Sequence, residues 1–284
     1  MASTTWSAVT LRLPSGRVEV QVLFRGDDLR APSRSGTKRV TVGRVTASAG
    51  RGWLDGRMHD WNALLTAATG RVARLIGEVD LTASVPACPE WCVADLVEHL
   101  GSVHQWARHA VVEGTPEGRP EDAPADLSEL AAWYAGHAGD LVETLATTDP
   151  AAPAWTFGRG VGTAGWWARR QTHEVSIHTY DLLSAAGREE EWQPEPAVAW
   201  DGVREVQDTF YLRQVKMART EPLAGTLVLE ATDVPGGADP VRIGDGEPHV
   251  HLRGTARELL LLLWHRATTD DPAAAPLLAE AITP

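Results

Sequence analysis

Five stretches of the chain place apolar residues three or four positions apart, which is the spacing of an amphipathic helix. They cover residues 59–79, 93–112, 126–146, 163–187 and 196–218. Loops that contain proline, the second and third of them also glycine, separate the first four stretches. Four helices joined in this way predict an up-down four-helix bundle, an architecture in which facing helices often build a metal site.

The pattern changes after residue 222, where apolar and polar residues begin to alternate. Three short segments between residues 225 and 253 are typical of strands separated by Gly/Asp turns. A last helix is predicted over residues 254–266, which contain the run LLLLLW. The predicted fold class is therefore mostly α. It combines a helical bundle over residues 58–221 with a small α+β C-terminal domain over residues 222–284.

Charge divides the chain near residue 57. The first 57 residues hold ten basic and four acidic side chains, whereas the remainder holds 16 basic and 34 acidic ones. Residues 18–24 alternate apolar and polar side chains after a turn signal at residues 14–16, which predicts a hairpin. Residues 1–57 are therefore a basic N-terminal extension that is poorly ordered, an arm that binds nucleic acid, or upstream sequence that is not translated in the native protein. In the last case the chain would start at Met58.

The helix at residues 163–187 carries polar groups on a face that a core helix would fill with leucine or valine. Because a helix turns about 100° per residue, positions four apart share a face. Glu174 and His178 lie one turn apart on this face. The same face also carries Trp167, Gln171, Asp181 and Ala185. Polar groups on an inward face need a compensating partner, and a metal ion is the leading candidate.

The same geometry excludes a zinc-protease motif. His173 and Glu174 resemble the start of HExxH, but the second histidine, His178, comes one residue late. Five residues correspond to about 140° around a helix, so His173 and His178 cannot bind one ion together.

A third candidate ligand, His99, lies on the apolar stripe of the helix at residues 93–112. His99, Glu174 and His178 supply two imidazoles and one carboxylate, a set that suits catalytic zinc or non-haem iron and leaves a coordination position open. Asp181, close to one turn beyond His178, is placed to orient an imidazole. Spacing alone leaves an alternative open, in which His99 is a core histidine and Glu174–His178 a solvated pair.

Composition restricts the partners. The formal net charge of −12 argues against nucleic acid as a partner. No apolar run approaches the roughly 20 residues that a membrane span needs, and no signal-peptide pattern is visible. Cys88 and Cys92 are too few for a disulfide framework. We therefore expect a cytoplasmic protein, a monomer or a homodimer, that acts on a small molecule.

Three segments resemble the mycothiol-dependent maleylpyruvate isomerase family of actinobacteria, part of the DinB-like superfamily of metal-binding bundles. They are VPACPEWCVADLVEHLGSVHQWA at residues 85–107, WTFG…GTAGWWARRQTHEVSIHTYDLLSAAG at residues 155–187, and LVLEATD…VHLRGTARELLLLLWHR at residues 227–266. The resemblance covers about residues 58–266. It implies a DinB-like up-down four-helix bundle in which His99, Glu174 and His178 bind a divalent metal, usually Zn²⁺, with Asp181 beside them.

The resemblance also implies mycothiol as a thiol cofactor. The metal-binding stripe carries no cysteine, so the reactive sulfur would belong to the cofactor, whose thiol a divalent cation makes more acidic. In the family, the thiolate adds to the double bond of maleylpyruvate, the resulting single bond rotates, and the thiol leaves. Arg266 is expected to bind the carboxylates of the substrate, with Arg253 as a second candidate. A purely structural role for both arginines stays open.

Other activities remain open because the family is broad, and many of its members transfer a thiol to another substrate. A metal-dependent hydrolase or lyase that uses bound water would act without added thiol. A non-catalytic metal-binding or stress protein built on the same bundle would have a closed four-ligand site or no metal.

Overall fold

The computed structural model describes residues 7–12, 18–23, 59–157 and 160–284. The chain forms two compact units, Met1–Trp53 and Leu54–Pro284. In the first unit, β1 (Ser7–Arg12) pairs antiparallel with β2 (Val18–Leu23), which confirms the predicted hairpin. The turn signal at residues 14–16 and the rest of the predicted N-terminal extension lie outside the described residues.

The predicted four-helix bundle is confirmed in the second unit. Its helices are α1 (Trp61–Ile76), α2 (Val93–Val112), α3 (Leu130–Thr147) and α4 (Ala164–Ala185). The α4 helix begins after Thr163, whose Oγ1 accepts a hydrogen bond from the backbone N–H of Trp166. It ends before Gly187, whose positive φ of 67° suits a residue without a side chain.

Contacts between side chains fix the direction of each helix. Trp61, at the start of α1, packs against His173 in α4, and Glu78 and Arg188, which follow the two helices, form an ion pair. The α1 and α4 helices are therefore parallel. His99 of α2 contacts His178 of α4, whereas Trp106, farther along α2, contacts Trp167, nearer the start of α4. The α2 helix is therefore antiparallel to α4.

The α2 and α3 helices are parallel to each other, so the bundle runs up-down-down-up and the predicted up-down order of its helices is wrong. His104 contacts Tyr134, and Arg108, one turn later in α2, donates a hydrogen bond to Thr144 at the end of α3. The loop at residues 113–126 makes this possible because it runs back along α2, where the Trp106 indole donates to the carbonyl of Pro116. An extended residue spans about 3.3 Å and a helical one only 1.5 Å, so this loop is long enough to return along α2.

Two short hairpins that the sequence pattern did not predict precede the helices of the site. β3 (Ser84–Val85) pairs with β4 (Cys88–Cys92), which leads directly into α2. β5 (Pro153–Thr156) pairs with β6 (Gly160–Thr163), which leads into α4. These strands are too short and too rich in proline and glycine to show an alternating pattern. Each hairpin fixes the start of a helix.

The fifth predicted helix is interrupted. It consists of α5 (Pro196–Glu205), a π-helical segment (Val206–Tyr211) and α6 (Leu212–Lys216). The α5 helix packs against α7 (Ala256–Leu263), which belongs to the region predicted as the C-terminal α+β domain.

The region predicted as the C-terminal domain contains a three-stranded sheet in the order β8-β7-β9. The strands are β7 (Thr226–Ala231), β8 (Val241–Ile243) and β9 (His249–Gly254), and β9 is parallel to β7. The short helix α8 (Ala275–Leu278) follows α7. In the part of the chain that the structure describes, no helix combines the length and apolar character that crossing a bilayer requires.

Candidate metal centre

The three predicted ligands meet between α2 and α4. His99 Nε2 lies 2.9 Å from Glu174 Oε1, and His178 Nε2 lies 3.5 Å from the same oxygen. One donor atom from each residue lies within 4.8 Å of the other two. Ligands about 2.0–2.2 Å from a tetrahedral zinc ion are roughly 3.3–3.6 Å apart, so the two nitrogen–oxygen distances are within a few tenths of an ångström of the spacing that one ion needs.

The side chain of His99 marks the open side of the cluster. It is 30% exposed, whereas that of Glu174 is 14% exposed and that of His178 only 8%. The side of His99 is therefore the side of the cluster that lies nearest to solvent.

The carboxyl group of Glu174 is held in its ionised form. Burial opposes ionisation, but Arg170 and the imidazoles of His178 and His99 hold the pKa of Glu174 well below its ordinary value. Burial likewise disfavours protonation of His178, yet its hydrogen bonds to Asp181 and Glu174 raise its pKa to about 9. Without a bound metal, His178 is therefore protonated at neutral pH and pairs with the ionised Glu174, and a cation would have to displace that proton to bind both residues.

Asp181 orients His178, as its position in the sequence predicted. His178 Nδ1 lies 2.9 Å from Asp181 Oδ2, which leaves Nε2 directed at the cluster. Asp181 is fully buried, and Arg266 donates to both of its oxygens, at 3.0 Å from Nε and 2.7 Å from Nη2. Burial opposes ionisation of Asp181, but His178 and Arg266 lower its pKa.

The guanidinium of Arg266 already donates hydrogen bonds to other groups of this chain. Besides Asp181, its guanidinium donates to the carbonyl of Trp264 at 2.6 Å and lies 3.9 Å from Cys88 Sγ. Its side chain is only 9% exposed. The structure therefore places the predicted carboxylate-binding arginine behind the candidate ligand His178, with few donors left for a substrate. Arg253, the second candidate, lies in β9, next to Gly254 at its end.

Residues 62–183 match the family model described as the mycothiol maleylpyruvate isomerase N-terminal domain. The match covers 122 of the 284 residues, and these residues span the four-helix bundle. The resemblance drawn from the sequence is thereby confirmed over residues 62–183, which run from α1 to α4 and include all three cluster residues, whereas the match does not extend to the third resembling segment at residues 227–266.

Two solved structures show similarity to this chain. A crystal structure of the mycothiol-dependent maleylpyruvate isomerase is 16% identical, with a TM-score of 0.47, over 71% of this chain and 86% of that one. A crystal structure of a point mutant of the mycothiol-dependent maleylpyruvate isomerase is 15% identical, with a TM-score of 0.48, and it also covers 71% of this chain and 86% of that one. No curated protein matches the sequence.

Two side chains that lie beside the cluster were not predicted from the sequence. Arg170 donates to Glu174 Oε2 and also to Glu205 Oε2 of α5, and both Arg170 and Glu205 are 2% exposed. The spacing of Arg170, one turn before Glu174, is the signal that could have found it. Nothing in the spacing indicates Glu205, because α5 lies beyond the loop that ends the bundle.

The β3–β4 hairpin forms one wall of the cluster. The indole ring of Trp91 lies 5.0 Å from the ring of His99 and 6.4 Å from that of His178. Cys88 and Cys92 are free thiols, and burial, with Asp181 nearby, raises the pKa of Cys88. Cys92 caps α2 through its backbone N–H, which donates to Asp95.

The remaining histidines of the bundle belong to other contacts. His173 Nε2 lies 2.8 Å from Asp201 Oδ1 of α5, so this imidazole faces α5 rather than His178. His104 is fully buried, with Nδ1 2.8 Å from Gln171 Oε1. Burial lowers the pKa of His104 to about 4, so it is a neutral core histidine.

Proposed function

We propose that this protein is a metal-dependent enzyme that uses mycothiol as its thiol cofactor. Its reaction is either a cis–trans isomerisation of the maleylpyruvate type or the transfer of the thiol to a small electrophile. The observation that carries the proposal is the cluster of His99, Glu174 and His178, whose donor atoms lie within 4.8 Å of one another in a bundle of the isomerase family. These residues would hold the metal, which we propose to be Zn²⁺.

A bound divalent cation supplies one chemical effect here, because it lowers the pKa of a thiol that binds beside it. The chain itself supplies the anionic Glu174 and two imidazoles, so the ligand set carries one negative charge. Arg266 offsets the charge of Asp181, which lies behind His178. The loaded cluster therefore keeps a positive charge toward its open side, and a thiolate or a carboxylate is the ligand that this charge favours.

The thiol comes from outside the chain. Among the described residues, no cysteine sulfur belongs to the cluster of donor atoms. Cys88 is the cysteine that approaches it, but its sulfur faces Arg266 and its raised pKa keeps it protonated. The exposed edge of His99, below the indole of Trp91, is the side from which a thiol cofactor and an electrophile would enter.

Thiol binding to the full-length protein tests this function. Isothermal titration with mycothiol should give binding to protein loaded with Zn²⁺, no binding after chelation, and recovered binding when Zn²⁺ is restored. The S-methyl derivative of mycothiol is the control, because it has no thiol proton to lose, and it should bind at least tenfold more weakly.

Turnover assays then separate the two reactions. Conversion of maleylpyruvate to its trans isomer indicates the isomerase, whereas consumption of monochlorobimane with mycothiol indicates S-transfer. Metal-dependent hydrolysis without any thiol would contradict the proposal and favour the hydrolase. Absence of both metal and thiol binding would favour the non-catalytic alternative.

A further inference from the structure

The two oxygens of Glu174 have separate partners. Oε1 lies between the imidazoles of His99 and His178, at 2.9 Å and 3.5 Å. Oε2 is on the side of Arg170, whose Nη2 donates to it. A carboxylate with this arrangement can bind an ion through one oxygen while the other oxygen accepts a charge-assisted hydrogen bond.

Arg170 is itself fixed from a second direction. Its Nη1 donates to Glu205 Oε2 in α5, and its guanidinium carbon lies 4.9 Å from the centre of the Phe210 ring in the π-helical segment. Arg170 and Glu205 are both 2% exposed. Rotation of Arg170 away from Glu174 would therefore break a buried ion pair and a cation–π contact.

The arrangement is poorly explained by stability alone. Desolvation of two buried charges offsets much of their attraction, so a buried ion pair contributes little to stability compared with apolar residues of the same volume. The ion pair with Glu205 instead fixes the orientation of Arg170. The carboxylate of Glu205 also offsets part of the positive charge of Arg170. Without Glu205, the full charge of Arg170 would act on Glu174 and weaken it as a ligand.

We propose that Arg170 and Glu205 are positioning residues that hold Glu174 as a ligand through Oε1 alone. This inference rests on the proposed function, because it takes Glu174 as a metal ligand. It extends the site beyond the bundle, since Glu205 belongs to α5 and stands directly before the π-helical segment. The metal geometry thereby depends on how α5 docks on α4.

Cobalt substitution of the full-length protein tests this inference. Four-coordinate Co²⁺ absorbs visible light several-fold more strongly than five-coordinate Co²⁺, so its spectrum reports whether Glu174 binds through one oxygen or two. We expect a four-coordinate spectrum for the unmodified protein. Arg170→Met should reduce the visible absorption at least twofold, as Oε2 becomes free to bind, and should change the dissociation constant for Co²⁺ tenfold or more. Arg170→Lys, which keeps a charged donor, should restore part of the original spectrum.

Arg169→Met is the matched control. Arg169 is the neighbour of Arg170 and also links α4 to α5, through Asp201, but it has no contact with Glu174 among its hydrogen bonds. The Arg169→Met variant should have a lower melting temperature and an unchanged Co²⁺ spectrum. Glu205→Gln serves as a second variant if Arg170→Met does not fold, and it should shift the spectrum and the affinity while keeping a hydrogen-bond acceptor for Arg170.

The outcomes separate this inference from the proposed function. Bound Co²⁺ with the same spectrum and affinity in Arg170→Met and Glu205→Gln would overturn the positioning role and leave the metal site standing. An equal change in Arg169→Met would also overturn it, because the effect would then come from docking of α5 in general. No Co²⁺ binding by the unmodified protein would overturn the metal site and the positioning role together.

Discussion

His99 Nε2 lies 2.9 Å from Glu174 Oε1, although the two residues are 75 positions apart in the sequence. The contact exists because α2 is antiparallel to α4, so the first half of α2 faces the middle and the second half of α4. Each residue is inward-facing on its own helix. The candidate metal centre is thus a consequence of helix direction as much as of residue type.

The hydrogen bond between Asp181 and His178 should strengthen metal binding. We predict that Asp181→Asn weakens Zn²⁺ binding by about 10–100-fold, because an amide holds the imidazole less firmly and leaves it a weaker donor. Competition with a chromophoric chelator measures the affinity. Asp201→Asn is the control, since Asp201 bonds the non-ligand His173, and its Zn²⁺ affinity should stay within threefold of the original. A similar loss in both variants would argue against a specific role for Asp181.

Much of the bundle and the positions of the three cluster residues could be predicted from the sequence, for a physical reason. The helices are long and amphipathic, so their bounds follow from the apolar spacing. Glu174 and His178 are one turn apart, and their relative placement is fixed by helix geometry alone. His99 was a candidate because it is a polar residue on an apolar stripe, but spacing left a core histidine equally open, and the family resemblance selected it.

Other parts of the site depend on contacts that spacing does not encode. The ion pair of Arg170 with Glu205 joins α4 to a helix beyond the bundle, so no local sequence pattern predicts it. The β3–β4 hairpin that carries Trp91 is too short for an alternating pattern. Arg266 was found by resemblance, but its pairing with Asp181 became visible only in three dimensions.

The close approach of α2 and α3 should be sensitive to one added methyl group. A Cβ on Gly101, two residues after His99, would lie 2.1 Å from the indole of Trp133, so Gly101→Ala forces the helices apart. We predict a loss of about 1–3 kcal/mol in the free energy of unfolding. Gly136→Ala is the matched control on α3, where a Cβ meets nothing within 4 Å, and it should stabilise by about 1 kcal/mol. Urea unfolding measures both, and equal effects would contradict the packing argument.

His104 should make the protein sensitive to acid. Its folded-state pKa of about 4 lies below the ordinary value of 6.5. Between these two pH values the imidazole is therefore protonated in the unfolded chain and neutral in the folded one. The stability is therefore complete above pH 6.5 and falls by about 3 kcal/mol as the pH drops to 4. Urea unfolding across this range should show a steeper acid loss for the unmodified protein than for His104→Gln. His109→Gln, at a partly exposed histidine, should keep the steep loss, and identical slopes in all three proteins would refute the assignment.

The metal content of the full-length protein tests the central claim most directly. Protein purified with Zn²⁺ and desalted should contain one zinc ion per chain by elemental analysis. His178→Ala should contain less than a tenth of that amount, and His109→Ala, on the same bundle but outside the cluster, should retain one ion per chain. A His178→Ala variant that folds and still holds one zinc ion per chain would contradict the account.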